Sequence, residues 1–357
     1  MLERITSILV LSTALSLTTD AALAAPPSSL NSVATETTLD AEQKKRIGEY
    51  AGYWLSRLES GTPEETKRAR NKLVEPVRSM LGNSSSIFRS TYAGDLVPGL
   101  KKIIEGDDLY RAVNALQIAG FLGSEQVMRV LVDTADSELE SSPEKRLWAT
   151  IAIREAIRSG NLSPRRISSA IRSLARFAAT EPDWRVLTRE METISSAAQS
   201  ELSKDQGGDE IRALGRELQL STLTSTVDRL TSDSGQIELI YALRPGILEF
   251  RQQYLNPQMV DHRREIALGT APQLGRVYVI LLNHYDLIRE NEKLSDASGM
   301  MLRLSEETLK LIDSDVGGGS TPNANSLSAW NSGQRSTIEQ NQAAWATVLS
   351  APPYTGN

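Results

Sequence analysis

Apolar residues return at three- and four-residue intervals along most of this chain, the spacing that lines one face of an α-helix. Order is expected from Asp40, where Asp40 and Gln43 have the spacing of a capping box and Ile47, Tyr50, Trp54, Leu55 and Leu58 follow at helical steps until Gly61. Thr62-Pro63-Glu64-Glu65 then opens a second helix, with proline where its missing N–H costs nothing. The same opening recurs at Ser142-Pro143, Ser163-Pro164 and Glu181-Pro182. Ile167, Ala170, Ile171, Leu174 and Ala178 mark the apolar face of one predicted helix, and Trp184, Leu187, Met191, Ile194 and Ala198 that of the next. No convincing strand alternation occurs before residue 235.

Three stretches resemble successive openings of one unit: Gly106 to Arg111, Ser142 to Arg146 and Glu181 to Arg185 each place an arginine just inside a helix start. Arg111, Arg146 and Arg185 stand about 35 and 39 residues apart, a recurrence on the scale of helical repeats that complete their cores on their neighbours. The segment from Asp108 to about Phe121 carries Ala112, Ala115 and Ala119 on one stripe, small enough to admit a close helix, and Gly120 to Gly123 ends it. Ser124-Glu125 opens its predicted hairpin partner across a very short turn.

Arg111 to Gly123, with an early arginine, internal alanine and leucine and a final glycine, resembles the second helix of a HEAT-type (armadillo-like) repeat. Pro143 to Ile157 resembles it more loosely, and Pro182 to Ala198 keeps only the opening, so the resemblance covers about residues 94–198. It implies an all-α fold of stacked antiparallel helical hairpins, a HEAT-like α-solenoid, with a less regular helical C-terminal half.

The organisation expected is a signal peptide over 1–24, a flexible leader over 25–39, a HEAT-like region over 40–205, an irregular helical region over 209–312 and a linker with a polar tail over 313–357. The signal reading rests on Arg4, the apolar run Ile5 to Leu17 and the small-residue site Ala22-Leu23-Ala24. Gln206-Gly207-Gly208 is read as a joint, and Pro245-Gly246 as an interruption of the apolar run from Ile237. Val277 to Ile288 is assigned to helix because its surroundings are helical. Asp313 to Asn325 is rich in Gly, Ser, Asn and Pro, and beyond it Ile338, Trp345 and Leu349 form a weak apolar stripe.

Composition narrows the chemistry. The chain has no cysteine and two histidines, His262 and His284, so thiol chemistry, iron–sulfur clusters and the common zinc sites are excluded, and no cofactor is expected. A net charge of −6 argues against nucleic acid as a partner. The apolar run of the signal is too short to span a bilayer, so no transmembrane segment is expected in the mature chain. Export to a periplasm or cell envelope, with secretion as the alternative, follows from the signal reading.

His284-Tyr285-Asp286 sets an imidazole near a carboxylate, but no nucleophile elbow accompanies it, and His284 is read as a packing or surface residue. Asp261 to Glu265 is read as a solvated charged turn, and Tyr50, Tyr53 and Trp54 as core instead of a sugar-stacking platform. The candidate binding residues are basic. Arg165, Arg172 and Arg176 share one helical stripe and Arg154 and Arg158 repeat the i, i+4 relation, so the two sets can merge into a ridge for a protein partner or an anionic glycan or polymer. The plainer reading is a pair of solvated faces balanced by Glu155, Glu181 and Glu190. The expected function is that of an exported, non-enzymatic binding or scaffold protein. The alternative is an all-α envelope enzyme acting on glycans through a carboxylate pair that the sequence does not locate.

Overall fold

The computed structural model describes residues 25–78, 84–159, 162–232, 234–317 and 321–355. The expected signal peptide, residues 1–24, lies outside them. Every regular element among the described residues is helical, and the α-helices are numbered α1 to α16 in chain order.

Most of them fall into two rows. The first holds α2 (Ala41–Ser60), α4 (Ser86–Glu105), α6 (Glu125–Ala135), α8 (Pro164–Ala178), α10 (Gly208–Ser232) and α12 (Arg263–Asn283). The second holds α3 (Pro63–Arg78), α5 (Leu109–Leu122), α7 (Pro143–Arg158), α9 (Trp184–Ala198), α11 (Ile240–Leu255) and α14 (Glu292–Val316). Each helix packs on the next member of its own row as well as on the other row. Arg111, Arg146 and Arg185 therefore occupy equivalent places, at the starts of the consecutive second-row helices α5, α7 and α9.

Local signals set the starts. Asp40, Ser85, Asp108, Ser124, Ser142 and Ser163 each accept a backbone N–H of the first turn they precede. Pro63, Pro143 and Pro164 are first helical residues, as expected. Pro182 is not, because Asp183 caps α9 by accepting from Arg185 and Val186, which leaves Glu181 outside the helix and turned inward. Pro245 does not interrupt its segment either. It lies in the second turn of α11, where Gly246 packs so closely that an added Cβ would sit 2.9 Å from Met191 Sδ.

Small residues decide how near the helices come. An added Cβ at Gly120 of α5 would lie 3.0 Å from the Ala152 Cα of α7, beside the buried Ala112, Ala115 and Ala119. α5 packs more extensively on α4 and α7 than on α6, so the Gly123-Ser124 turn passes between pairs instead of closing the hairpin expected there. At Gly215 of α10 an added Cβ would stand 2.4 Å from the Ala198 backbone nitrogen of α9.

Two apolar clusters fill the space between the rows, one from Leu30 to Leu214 and one from Ala178 to Trp345, and α9 and α10 contribute to both. The supposed joint at Gln206 to Gly208 is a folded turn, with Lys204–Gln206 in a 3-10 helix and Gly207 at φ +74°. Residues 30–34, expected in a mobile leader, form α1 (Asn31–Ala34) and bury Leu30, Val33 and Ala34, because these three apolar side chains meet α3 and α4.

The C-terminal segment is likewise packed. α13 (Tyr285–Arg289), α15 (Ser326–Asn331) and α16 (Arg335–Leu349) surround α14 and α12, with Trp330, Ile338 and Trp345 buried in the second cluster. Glu306 of α14 holds this segment. It accepts from Ser326 N (3.0 Å), the Tyr278 hydroxyl (2.8 Å) and Lys310 Nζ (2.8 Å). Asp313, expected to start a linker, is buried within α14 and accepts from Thr321 Oγ1 (2.5 Å) and the Tyr354 hydroxyl (3.1 Å).

The most fully buried ion pair between neighbouring helix pairs is Arg146 with Glu181. Their side chains are 5% and 0% exposed, and the guanidinium meets the carboxylate through two parallel bonds of 2.9 and 2.8 Å. Arg146 Nη1 also donates to the carbonyls of Glu140 (2.9 Å) and Ser141 (3.1 Å), while Glu181 accepts the Asp183 N–H at 2.9 Å. The α6–α7 and α8–α9 connections are thereby joined.

Glu181→Ala is expected to cost about 3–5 kcal/mol in denaturant unfolding, since it strands a buried guanidinium, whereas the double variant Arg146→Met/Glu181→Leu recovers most of that loss. Glu306→Ala is expected to abolish slow amide exchange across 326–349 while leaving α2–α9 protected. Burial raises the Glu306 carboxyl, but hydrogen bonds from Lys310, Ser326 and Tyr278 outweigh it and hold the group below its ordinary range. Its contribution is therefore present above about pH 4.5 and lost as pH falls through the lowered value, so the protection factors of the same segment, corrected for the intrinsic exchange rate, fall in acid.

Candidate ligand groove

The alternation of rows sets where a groove can form. Second-row helices end, and the following first-row helices begin, along one edge, so the connections α7–α8, α9–α10 and α11–α12 lie there together. Two depressions meet on this edge. One, of about 710 Å³, is lined by residues including Ala198, Asp209, Arg212, Arg216, Met259 and His262. The other, of about 420 Å³, is lined by Ile157, Arg158, Ser196 and Leu202, and both share Gln199, Ser200 and Glu201.

The arginines predicted from the sequence separate here. Arg158 lines the groove. Arg154, also on α7, is committed to Glu192 of α9 at 2.8 Å. Arg165, Arg172 and Arg176 stand exposed on the first-row helix α8, opposite the buried Ile167, Ile171 and Leu174, and Arg176 approaches Asp136 at 3.7 Å. α7 and α8 belong to different rows and touch little, so Arg154 and the α8 stripe serve different neighbours.

Within the groove the charges have distinct tasks. Arg212 holds the connection after α9, donating to the carbonyls of Ser200 (2.8 Å) and Leu202 (3.0 Å) and pairing with Asp209. His262 Nδ1 lies 3.4 Å from Glu265. Arg216, one turn beyond Arg212, has no hydrogen bond or ion pair among the described residues, and its Nε is buried without a partner. It also lines a smaller cavity of about 50 Å³ with Phe250, Gln253, Ile266 and Thr270.

A buried polar seam runs behind Arg216. Gln253 Nε2 donates to Gln219 Oε1 at 2.6 Å and to Ser195 Oγ at 3.1 Å, and Ser195 donates to Glu249 at 2.7 Å. Gln253 Oε1, Gln219 Nε2 and Thr270 Oγ1 are left buried and unpartnered. Turning both amides over only exchanges which ends are orphaned.

The other candidates are structural. His284 Nε2–H donates to the Leu230 carbonyl at 2.8 Å, tying the end of α12 to α10. Tyr50 and Trp54 are buried, with the Tyr50 hydroxyl donating to the Lys72 carbonyl at 2.7 Å, and the half-buried Tyr53 is covered by the Arg57 guanidinium 3.5 Å from its ring centre. A third depression, of about 610 Å³, lies between α3 and α5. Its Arg70 is bonded to Gln117 at 2.8 Å and its Arg78 lies 5.6 Å from the Phe121 ring centre. Among the described residues no group of three or more histidine, aspartate or glutamate side chains is gathered as a metal site requires. No described helix is long and apolar enough to cross a membrane.

Glu181 and Glu190, read as balancing surface charges, are both fully buried. Helical spacing alone does not distinguish them from solvated glutamates, because what buries them is the stacking of α7, α9 and α10. Neither carboxyl oxygen of Glu190 has a hydrogen-bond partner. Burial, and after it the Glu181 carboxylate, push Glu190 well above the ordinary 4.5, against the opposing influence of Arg146 and Arg229. Its favourable contribution is thus complete below about pH 4.5 and is lost as pH rises through the raised value.

Arg212 and Arg216 stand one turn apart near the start of α10, a spacing that marks many solvated helix faces, so no sequence pattern singles them out. The position of Arg216 beside orphaned amides exists only once α9, α10, α11 and α12 are packed.

Glu190→Gln is expected to match the parent protein in thermal stability near pH 4 and to exceed it by about 1–3 kcal/mol near pH 8. Calorimetry across that range measures the difference, and parallel pH profiles would contradict the assignment. In comparisons with known proteins, no family model matches the chain and no curated protein matches it.

Proposed function

We propose that this chain is an exported, HEAT-like helical-repeat protein with a binding or scaffold role, and that the groove edge is its partner surface. The observation that carries this reading is the continuous groove from Arg158 to His262, on an edge formed by three successive inter-row connections. A stacked helical array supports such a surface well, because the rows behind it are fixed by packing and the connections can vary without disturbing them. A protein partner fits a lining that mixes Arg158 and Arg216 with Glu201, Gln199, Asn256 and Gln258, since such a lining both donates and accepts along its length. The export assignment rests on the signal pattern in residues 1–24.

Glycan hydrolysis is the second reading, favoured by the placement of Glu201 and Asp209 in one groove. Asp209 is, however, bound to Arg212, Glu201 is exposed, and neither has the apolar enclosure that builds a general acid.

Cross-linking of residues 25–357 in the native envelope fraction, read by mass spectrometry, tests the binding role. A single protein captured by the parent and by the Arg165→Glu/Arg172→Glu/Arg176→Glu variant, but lost in Arg158→Glu/Arg216→Glu, is the expected result. Capture indifferent to the groove variant, or loss only with the α8 variant, would move the surface away from this edge. Absence of any specific capture would remove the scaffold reading.

A further inference from the structure

The partner surface contains a charge that the fold itself leaves unanswered. Arg216 is half-buried, its Nε–H has no acceptor, and the other arginine that lines the larger depression, Arg212, is occupied by two carbonyls and Asp209. Burying an N–H without an acceptor is unfavourable, and a ligand that supplies the acceptor removes that cost. Behind it, Gln219 and Gln253, 4% and 1% exposed, and Thr270, 1% exposed, also present orphaned polar atoms. Gln253, Thr270 and Arg216 enclose the same cavity of about 50 Å³, a volume that admits water and links the seam to the guanidinium.

The geometry points to a carboxylate-binding subsite at Arg216, filled by an acidic side chain or C-terminus of an extended peptide lying along the groove. This rests on the reading of the edge as a partner surface and names the chemistry that it selects. The planar fork of arginine matches a carboxylate through two parallel hydrogen bonds. On the groove side, Gln199, Asn256 and Gln258 each carry both a donor and an acceptor, the pair that a peptide backbone repeats. Among the described residues no phenylalanine, tyrosine or tryptophan lines either depression, so the broad stacking platform that a sugar chain uses is missing there. The carboxylates facing the site are Glu201 and Asp209 in the groove and Glu217 and Glu265 at the smaller cavity. Asp209 is engaged by Arg212, and Glu265 lies 3.4 Å from His262. A ligand carboxylate near Glu201 is repelled, which directs it to the Arg216 end and leaves Glu201 for a donor of the same peptide.

Arginine side-chain NMR of the full mature chain measures this without knowledge of the partner. The probes are acetate, N-acetyl-glutamate N-methylamide and glucuronate, each titrated while the Nε–H resonances of Arg216 and of the exposed Arg172 are followed, with assignments from Arg216→Gln and Arg172→Gln. The expected result is saturation at Arg216 at roughly tenfold lower concentration than at Arg172, with the peptide analogue tighter than acetate. Equal responses at the two arginines would overturn the carboxylate subsite. Tighter binding of glucuronate than of the peptide analogue would overturn the peptide assignment in favour of an acidic glycan. A protein captured through the groove in cross-linking while Arg216 ignores all three probes would retain the partner surface and reject this subsite, so the two readings fail separately. Arg216→Lys keeps the charge and removes the fork, and an unchanged affinity in that variant would also contradict the geometry.

Discussion

A pair of antiparallel helices cannot bury both of its broad faces, and that constraint organises the whole molecule. Each helix therefore packs on the next member of its row, and every pair supplies one wall of its neighbour's core. The close approaches at Gly120 and Gly215 show how tightly the stacking is specified, since a single methyl group at either place would meet backbone atoms across the interface. Stability in such an array is passed from pair to pair, and the positions that matter most are those that touch two neighbours at once.

Arg146 and Glu181 occupy such a position. Their fork joins two connections that lie 35 residues apart in sequence, and its burial converts an ordinary ion pair into a geometric lock. Glu190 sits in the same polar interior without a hydrogen-bond partner, so burial raises its pKa, whereas the Glu181 carboxylate is held by arginine. The same logic holds the C-terminal segment, where the Glu306 carboxylate gathers a hydroxyl, a backbone N–H and a lysine and so fastens α15 to α14.

Arg216 differs from the other arginines in where it stands. Further interior polar groups also lack a partner, Glu190 and Arg89 Nη1 among them, but only at Arg216, among the described residues lining the groove, does the seam of Gln219, Gln253 and Thr270 meet a guanidinium. The groove lies where α9 and α10 pass from one apolar cluster to the other, so the connections that line it belong to pairs on both sides of the passage.

Much of the fold was already written in the sequence. Helix identity followed from the three- and four-residue apolar spacing, and most starts followed from local capping, because both depend on residues within a turn of one another: Asp40, Ser142 and Ser163 needed no distant partner to be read. The equivalence of Arg111, Arg146 and Arg185 was legible for the same reason. Of the candidate site, only Arg158 was visible beforehand, as half of an i, i+4 pair. Tertiary packing alone decided that Arg154 turns to Glu192, that Glu181 and Glu190 leave the surface, that Pro245 stays within a helix and that the C-terminal segment buries Trp330. Each of these depends on which helix lies alongside, and a local pattern of apolar and charged residues does not carry that information.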